Sequence, residues 1–585
     1  MQKERSTHKM NSKFNTNGKF KMNSKRNITL TILFALVSAL TVSICHFFLR
    51  NETVSGINGS YIVKSLIFFL LMICLFYILG ALAHTSRLTK GIQKIKIPFF
   101  HGKWQILVNT VIITLLLLPA FLALYPGYQA YDGPAQVTSF LAGAYPNTQP
   151  VIHTFIIGQL YKISHDLTGS YTLGLAIYSG LQAAIFIFAM VFTTNKLIKW
   201  NVPDLITALT LLFTVVNPMV QVFVFTTTKD AYFASFMLLF IVEIVDVYKN
   251  ESAPGFAKTI AAIIFAILMC LFRKQGLYIL VLTLPVSLLV QGLRGKSKMA
   301  GSTSINDSNS TSQPASAART VSANQPAEFK PAHKLLALAT IFLTSILICF
   351  LIFKLAYPAL GIEKDAAAEK LSVPIQQITR VVATHPERLT EEDMVEIEKF
   401  IPAENLAAYV PQISDPVKAG FNNEYYEANS SQFWSLWLHI GKANKTEYIN
   451  QIMYGILGYF YPGSEATNGW GYLCPIVQLP DWTLDHAGFF ILYKNYLLDA
   501  GLNMFHNTFL ISTLVCIGLP MWIHLMVLYL GLIRRKRAYW LALIPLALFS
   551  ATNLLGPVCC IRYVIPLYMT LPIEIASLFV DTKRA

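Results

Sequence analysis

Long apolar runs separated by short polar loops set the pattern of this chain. They fall at 28–49, 62–83, 105–125, 171–194, 205–224, 231–248, 258–272, 277–293, 334–357, 506–530, 539–557 and 563–581. Roughly 20 apolar residues in a helix cross a hydrocarbon core about 30 Å thick, so the pattern predicts an all-α polytopic membrane protein with about 12 transmembrane helices. Two segments break the rhythm. Residues 294–333 are rich in Ser, Ala, Asn, Thr and Gln, cannot bury a core and predict a flexible linker. Residues 358–505 predict a mostly helical segment outside the bilayer, with Thr390-Glu-Glu-Asp393 as a capping-box start followed by Met394, Ile397 and Phe400 at helical spacing. Between the third and fourth runs, Gly133-Pro134 opens a short helix. A second starts at Pro150, with Val151, Ile152, Phe155, Ile156 and Leu160 on an interfacial face.

Composition agrees with the pattern. Of 585 residues, 54% are hydrophobic and 13% charged, against about 25% charged in an average soluble chain. The net charge of +15 therefore reads as topology and not as a nucleic-acid footprint, because Lys and Arg are retained on the cytoplasmic side. Residues 1–27 form a basic tail with eight basic residues and one acid. Arg87, Lys90, Lys94, Lys96, Lys103, Lys196, Lys199, Lys249, Lys258, Arg294, Lys296, Lys298, Arg534, Lys536 and Arg537 all fall on the same side as that tail when the runs are counted as spans. Both termini are then cytoplasmic, and the first run is an uncleaved anchor. The chain divides into the tail, a first membrane module over 28–293 with an outer loop at 126–170, the linker 294–333, a helix at 334–357, the outer segment 358–505 and C-terminal membrane helices over 506–585. The outer segment carries 18 acids against 9 bases, and the rest of the chain +24. Eight Cys show neither a disulfide framework nor zinc spacing.

Ionisable residues that break the positive-inside pattern point to chemistry, since charge beside an apolar region is costly. In the outer loop, Asp132 and Gln136 follow an aromatic cluster ending at Tyr131, and Asn147, Gln149, His153 and Thr154 come after. His153 lies in the first turn of its helix, where the dipole lowers imidazole basicity. A carboxylate and a neutral imidazole in one surface loop make an acid/base candidate. The plainer alternative has Asp132 capping a helix and His153 as an interfacial residue. Three further outer turns carry bases: Lys229 beside Asp230, Arg273-Lys274-Gln275, and Arg562-Tyr563. Arg suits a bidentate phosphate contact and Lys a point charge, so the recurrence suggests a phosphate pocket at the bilayer surface. At each turn the alternative is snorkelling to headgroups or balancing a neighbouring acid. Phe433, Trp434, Trp437, Tyr454, Tyr459, Phe460, Tyr461 and Trp470 read as small-domain core and membrane belt ahead of sugar stacking. No metal-ligand spacing, P-loop or dinucleotide fingerprint is present.

The run aromatic-Asp132-x-x-x-Gln136, followed by Asn147-x-Gln149-Pro150-x-x-His153-Thr154, resembles the first outer loop of the GT-C superfamily of membrane glycosyltransferases. Thr228-Lys229-Asp230, Arg273-Lys274-Gln275-Gly276-Leu-Tyr and Arg562-Tyr563-Val-Ile-Pro566 look like later motifs of bacterial members. Pro374-Ile-Gln376-Gln377-Ile-Thr-Arg380, Asp415-Pro-Val-Lys418 and Gly458-Tyr-Phe-Tyr-Pro462 are similar to an uncharacterised family of multi-span envelope proteins from Gram-positive bacteria. The resemblance implies a GT-C-like fold in a bacterial cytoplasmic membrane. It also implies an inverting transfer of a sugar from a polyprenyl-phosphate donor to a cell-envelope glycan, lipid or protein. On that basis Asp132, with His153, is catalytic. Lys229, Arg273, Lys274 and Arg562 hold the donor phosphate, while Tyr131, Gln136, Gln149, Asp230, Gln275 and Tyr563 line the acceptor or sugar. Many members carry a second acid or an Asp-x-Asp where Gln136 stands here. A divalent cation (Mg or Mn), with Asp132 as its ligand, is therefore not required by the sequence.

Two other classes stay open. A transporter or flippase of a lipid-linked glycan also needs a basic outer pocket, but the spans hold few deep charges and no symmetric pair of Gly/Pro-broken helices. A non-catalytic envelope assembly protein would use 358–505 as its binding module.

Overall fold

Each apolar run is helical over most of the residues that the computed structural model describes; it covers residues 24–56, 58–84, 91–130, 132–250, 252–306, 331–462, 489–501 and 514–580. The first membrane module contains α1 (Lys25–Asn51), α2 (Gly59–His84), α3 (Gln105–Leu124), α4 (Gly133–Leu141), α5 (Val151–Thr168), α6 (Thr172–Lys199), α7 (Asp204–Val216), α8 (Pro218–Val224), α9 (Lys229–Lys249), α10 (Phe256–Phe272) and α11 (Gln275–Asn306). α12 (Pro331–Leu351) continues through a π turn at Ile352–Ala356. Next come α13 (Ser372–Thr384), α14 (Glu391–Phe400), α15 (Ser430–Ala443) and α16 (Lys445–Phe460), then α17 (Ile491–Gly501), α18 (Leu519–Arg534), α19 (Tyr539–Asn553) and α20 (Ile561–Ala576). Among the described residues, extended pairing is limited to isolated bridges. Among the described residues, eight helices are long and apolar enough to cross a membrane, or nine if α7 and α8 are one span, and α10, α18 and α19 are shorter apolar helices. The described residues are thus those of an all-helical, multi-pass membrane protein.

Three elements differ from the sequence reading. The run 205–224 breaks at Asn217-Pro218 with a 60° bend between α7 and α8. Pro218 drives Asn217 into extended backbone, and the Asn217 side chain accepts from Met219 N–H at 3.0 Å, capping α8. α11 runs on through Asn306 into the stretch read as linker. Extending a nucleated helix costs little per residue, and Lys296, Lys298, Met299 and Ala300 are good helix formers. α17, read as part of the outer segment, packs against α3 and α8. Phe489 N–H donates to Leu122 O at 3.0 Å, and Tyr493 hydroxyl to Gln221 Oε1 at 2.5 Å. The basic tail before Ser24, most of the linker, Trp470, Cys474 and the start of the run at 506 lie outside the described residues.

α9 is the axis of the bundle. Its apolar window is 100% buried, against 11% for α2, which exposes Ile62, Leu66 and Leu70. A helix apolar all round belongs either at the centre or against lipid, and these two illustrate the two outcomes. α6, α10 and α20 pack directly on α9. At its C-terminal end, Lys196 Nζ meets Glu243 at 3.1 Å and Asp246 at 2.7 Å, while Trp200 Nε1 donates to Asp246 at 2.9 Å. Its N-terminal end begins with Lys229 and Asp230.

The segment holding α13 to α16 has its own small core around Phe400, Phe421 and Phe433. The capping box is present, with Thr390 and Asp393 each accepting the other's backbone N–H at 3.0 Å. Arg380 Nε pairs with Glu447 at 2.8 Å across α13 and α16. Tyr459 instead joins the main core of the bundle. The segment is seated on the bundle by Ser414 N–H donating to Pro557 O at 2.9 Å and by α16 against α1 through Phe48, Tyr454 and Leu457.

Candidate functional site

Two loops clamp together before Asp132 is reached. Gly127 has φ +135°, and a Cβ there would strike the Ser179 hydroxyl and Leu175 of α6, so the position admits only glycine. Tyr128 N–H then donates to Phe225 O and Thr227 N–H to Tyr128 O, both at 2.8 Å, and Ala130 N–H reaches Thr227 Oγ1 at 2.9 Å. Gly133 lies so near that an added Cβ would sit 2.7 Å from Thr227 Cβ. The clamp sets Asp132 against the first turn of α9. Gly133→Ala is expected to part the loops and destabilise the protein by about 1–3 kcal/mol, the usual cost of forcing extra volume into a packed site. The melting temperature checks this, and an unchanged value would show that the two loops are not held in tight contact here.

Asp132 immediately precedes α4, yet its side chain does not cap the helix. Oδ2 accepts from Lys229 Nζ at 2.6 Å and from Arg562 Nη1 at 3.2 Å. Lys229 Nζ also donates to Gln149 Oε1 at 2.5 Å. Deeper in, Asp230 pairs with Arg273 and, at 3.8 Å, with Arg562 Nε. The Arg273 guanidinium is boxed by the rings of Phe233, Phe549 and Tyr563, and its buried Nε and Nη1 have no hydrogen-bond partner among the described residues. Arg562 lies over the Tyr563 ring and donates to its hydroxyl at 3.3 Å. Three cations to two carboxylates leave this connected cluster with a formal excess of +1. It opens at Asp132, whose side chain is 27% exposed, while Asp230 and Arg273 are 0% and 4% exposed. Burial alone would raise the Asp132 carboxyl, but Lys229 and Arg562 outweigh it and hold the group well below the usual carboxylate range.

His153 stands behind this cluster, fully buried. Its Nδ1 lies 2.8 Å from Gln136 Oε1 and its Nε2 2.7 Å from the Tyr178 hydroxyl. Gln136 Nε2 donates to Thr154 Oγ1 at 3.0 Å, the Tyr178 hydroxyl also lies 2.9 Å from Gln182 Oε1, and the Gln182 amide donates to the carbonyls of Phe223, Val224 and Thr226. This chain supports the Thr226–Thr228 side of the clamp, and among the described residues neither the His153 nor the Gln136 side chain hydrogen-bonds to the Asp132 carboxylate, although Gln136 N–H donates to Asp132 O at 2.9 Å. Burial first, then the Lys229 charge, lowers His153 to about 3 from 6.5. The unfolded chain takes up a proton there below 6.5 and the folded protein does not. This contribution to stability is therefore complete above pH 6.5 and is lost as pH falls from 6.5 towards 3. Melting temperatures between pH 7.5 and about 5 are expected to fall more steeply for the native protein than for His153→Gln. Identical slopes would contradict a buried neutral imidazole.

Lys274 is engaged elsewhere. Its Nζ lies 2.6 Å from both Asp365 carboxylate oxygens and 2.5 Å from Asn147 O, tying the stretch after α12 to the outer loop. Burial lowers the Lys274 ammonium, with Asp365 opposing the shift. Gln275 opens α11 half-buried and has no hydrogen bond to the cluster among the described residues. Tyr131 lies outside the described residues. Sequence reasoning missed Thr227, Tyr178, Gln182 and Asp365. Thr227 stood immediately before the noted Thr228-Lys229-Asp230 motif, whereas Asp365 was one acid among many and Tyr178 and Gln182 lay inside an apolar run.

Among the described residues no three His, Cys, Asp or Glu side chains converge as a metal site. With the Asp132 carboxylate taken by Lys229 and Arg562, the donor set does not fit a divalent cation. A sequence profile described as a family of unknown function (DUF6020) matches residues 142–299 and 332–585, more than half of the chain, beginning after Asp132 and including His153, Lys229, Asp230, Arg273 and Arg562. No curated protein and no solved structure matches the chain.

Proposed function

We propose that the chain, which belongs to the DUF6020 family, transfers a sugar from a polyprenyl-phosphate donor to a cell-envelope acceptor at the outer face of a bacterial cytoplasmic membrane. One observation carries this reading: a partly exposed carboxylate, Asp132, shares its cations with an anion-deficient cluster at the end of a fully buried apolar helix. The lipid tail needs only the apolar bundle, and the phosphate needs fixed positive charge. As the bond from the anomeric carbon to phosphate oxygen breaks, charge grows on the departing polyprenyl phosphate. Lys229, Arg273 and Arg562 stabilise that charge more than the ground state. The unmet Arg273 N–H groups and the N-terminal dipole of α9 favour the same anion. The acceptor oxygen forms the new bond to the anomeric carbon from the opposite face, with inversion, and its proton passes to Asp132.

While paired with Lys229 and Arg562, Asp132 is a weak proton acceptor and the base is restrained. A phosphate entering between them competes for the same two cations and frees the carboxylate. Donor occupancy thereby switches on the base. His153 and Gln136 are positioning residues behind it. A strain lacking the protein is expected to lose one glycosyl substituent from its envelope while the lipid-linked sugar accumulates, as read by glycan and lipid analysis. An unchanged envelope with no accumulation would count against transfer.

A further inference from the structure

α3 and α6 leave an open groove between them, towards their ends far from Asp132. α3 runs up to the Asp132 loop, and α6 starts at that level, where Gly127 abuts Leu175 and Ser179. The far ends are therefore those of Gln105 and Lys199. The groove holds about 450 Å³, within the ~300–1,000 Å³ of ligand pockets. Its walls run over residues 106–114 and 184–195, about 12–17 Å at 1.5 Å per residue and close to half of a hydrocarbon core about 30 Å thick. Ile106 and Phe188 line it at 54% and 52% exposure. The Thr110 and Thr114 hydroxyls donate back into their own helix, to Ile106 O and Thr110 O at 2.8 Å, so they add no polar demand to the walls. At the far end Asn195 Oδ1 accepts from Gln105 Nε2 at 3.0 Å, which leaves the Asn195 amide N–H groups for an oxygen of another molecule.

The same end carries positive charge. Trp104 is 64% exposed with the Lys103 ammonium over its ring, and a Trp at a helix end marks the membrane–water boundary. Lys103 lies just before Gln105, and Lys199 lies one helical turn beyond Asn195 on the same face. Both lysines are exposed, and among the described residues neither pairs with a carboxylate. Asp204, tied to the stretch before α3, is 1% exposed and already taken by Lys96, His101 and Ile97 N–H. We propose that the groove holds one acyl chain of an anionic phospholipid, with its phosphate between Lys103 and Lys199 and an ester oxygen at Asn195. An acyl chain of one leaflet matches the length of the groove, and two unpaired cations at its mouth match an anionic headgroup. A zwitterionic lipid would bring a cation of its own to the two lysines. The polyprenyl tail of a donor fits less well, since its phosphate belongs with Lys229 and Arg562 near the opposite ends of these helices. A second copy of the chain fits less well too. Two copies in one membrane share an orientation, so a twofold pairing along this groove would bring the lysines of both together. The site goes beyond the transfer reading and stands whether or not Asp132 is a base.

The test uses the full chain, stripped of native lipid in a non-ionic detergent and titrated with phosphatidylglycerol or phosphatidylcholine, with bound lipids counted by native mass spectrometry. One phosphatidylglycerol is expected to bind saturably, about tenfold or more tighter than phosphatidylcholine, the effect of two lysine charges on an anionic headgroup. Ala184 lines the groove and is exposed, so Ala184→Phe fills it from the lipid side. That variant should lose the bound phosphatidylglycerol while melting, without lipid, as the native protein does. Lys103→Gln/Lys199→Gln leaves the groove open and should bind the two lipids equally. Asp132→Asn should bind phosphatidylglycerol as the native protein does, so failure of the transfer reading and failure of this site are told apart. Equal affinity for the two lipids in the native protein, or undiminished phosphatidylglycerol binding in Ala184→Phe, overturns the proposal. So does undecaprenyl phosphate that displaces phosphatidylglycerol at equal concentration, which gives the groove to the donor tail, or a dimer that Ala184→Phe dissociates, which gives it to a second copy.

Discussion

Asp132→Asn is expected to lower sugar transfer by about 10²–10⁴-fold, the usual contribution of a positioned general base, while the donor phosphate binds more tightly. The second half of this result separates the account from simple damage. In the native protein the carboxylate occupies Lys229 at 2.6 Å and Arg562 at 3.2 Å. Asparagine removes one negative charge from the place the phosphate must enter and leaves both cations facing it. A merely disruptive substitution would weaken donor binding and turnover together. Donor affinity, measured by titration with a polyprenyl phosphate, therefore decides between the two, and weaker binding in Asp132→Asn would contradict competition for shared cations.

Arg273→Ala is expected to destabilise the protein by about 3–5 kcal/mol, the range for removing one partner of a buried ion pair. Asp230 is fully buried, and after the substitution its remaining cation is Arg562 at 3.8 Å. The void left among Phe233, Phe549 and Tyr563 adds a packing loss. Adding Asp230→Asn removes the stranded charge and should recover most of the loss, as read from unfolding in lipid–detergent micelles. Donor binding should stay weakened in the double variant, because one cation of the cluster is still missing. A double variant no more stable than Arg273→Ala would show that the ion pair is not what holds this corner together.

The membrane helices were legible because uniformly apolar runs admit few other structures, and the short helix after Asp132 was legible from Gly133-Pro134. The 60° break at Asn217 was harder to see, since a Pro preceded by Asn in a transmembrane run is compatible with a kink, a break or a straight helix accommodated by neighbours. At the site, the three basic turns were recognisable as charges against the topological trend, and Lys229, Arg273 and Arg562 converge around two carboxylates. Lys274 carried the same signal and goes to Asp365 instead. Local pattern shows that a charge is out of place, whereas its partner is set by how distant helices pack. His153 illustrates the same limit. Its placement in a first turn was readable, but its enclosure between Gln136 and Tyr178 depends on α4 and α6, far apart in sequence.

Transfer in a reconstituted system tests the central claim most directly. The full chain in proteoliposomes is supplied with a polyprenyl-phosphate donor carrying a labelled sugar and with envelope acceptor material, and free polyprenyl phosphate is followed beside labelled acceptor. The account predicts that both products appear in equal amount with the native protein and are nearly absent with Asp132→Asn. Translocation of an intact lipid-linked sugar without its cleavage, or product formation that persists in Asp132→Asn, would contradict it.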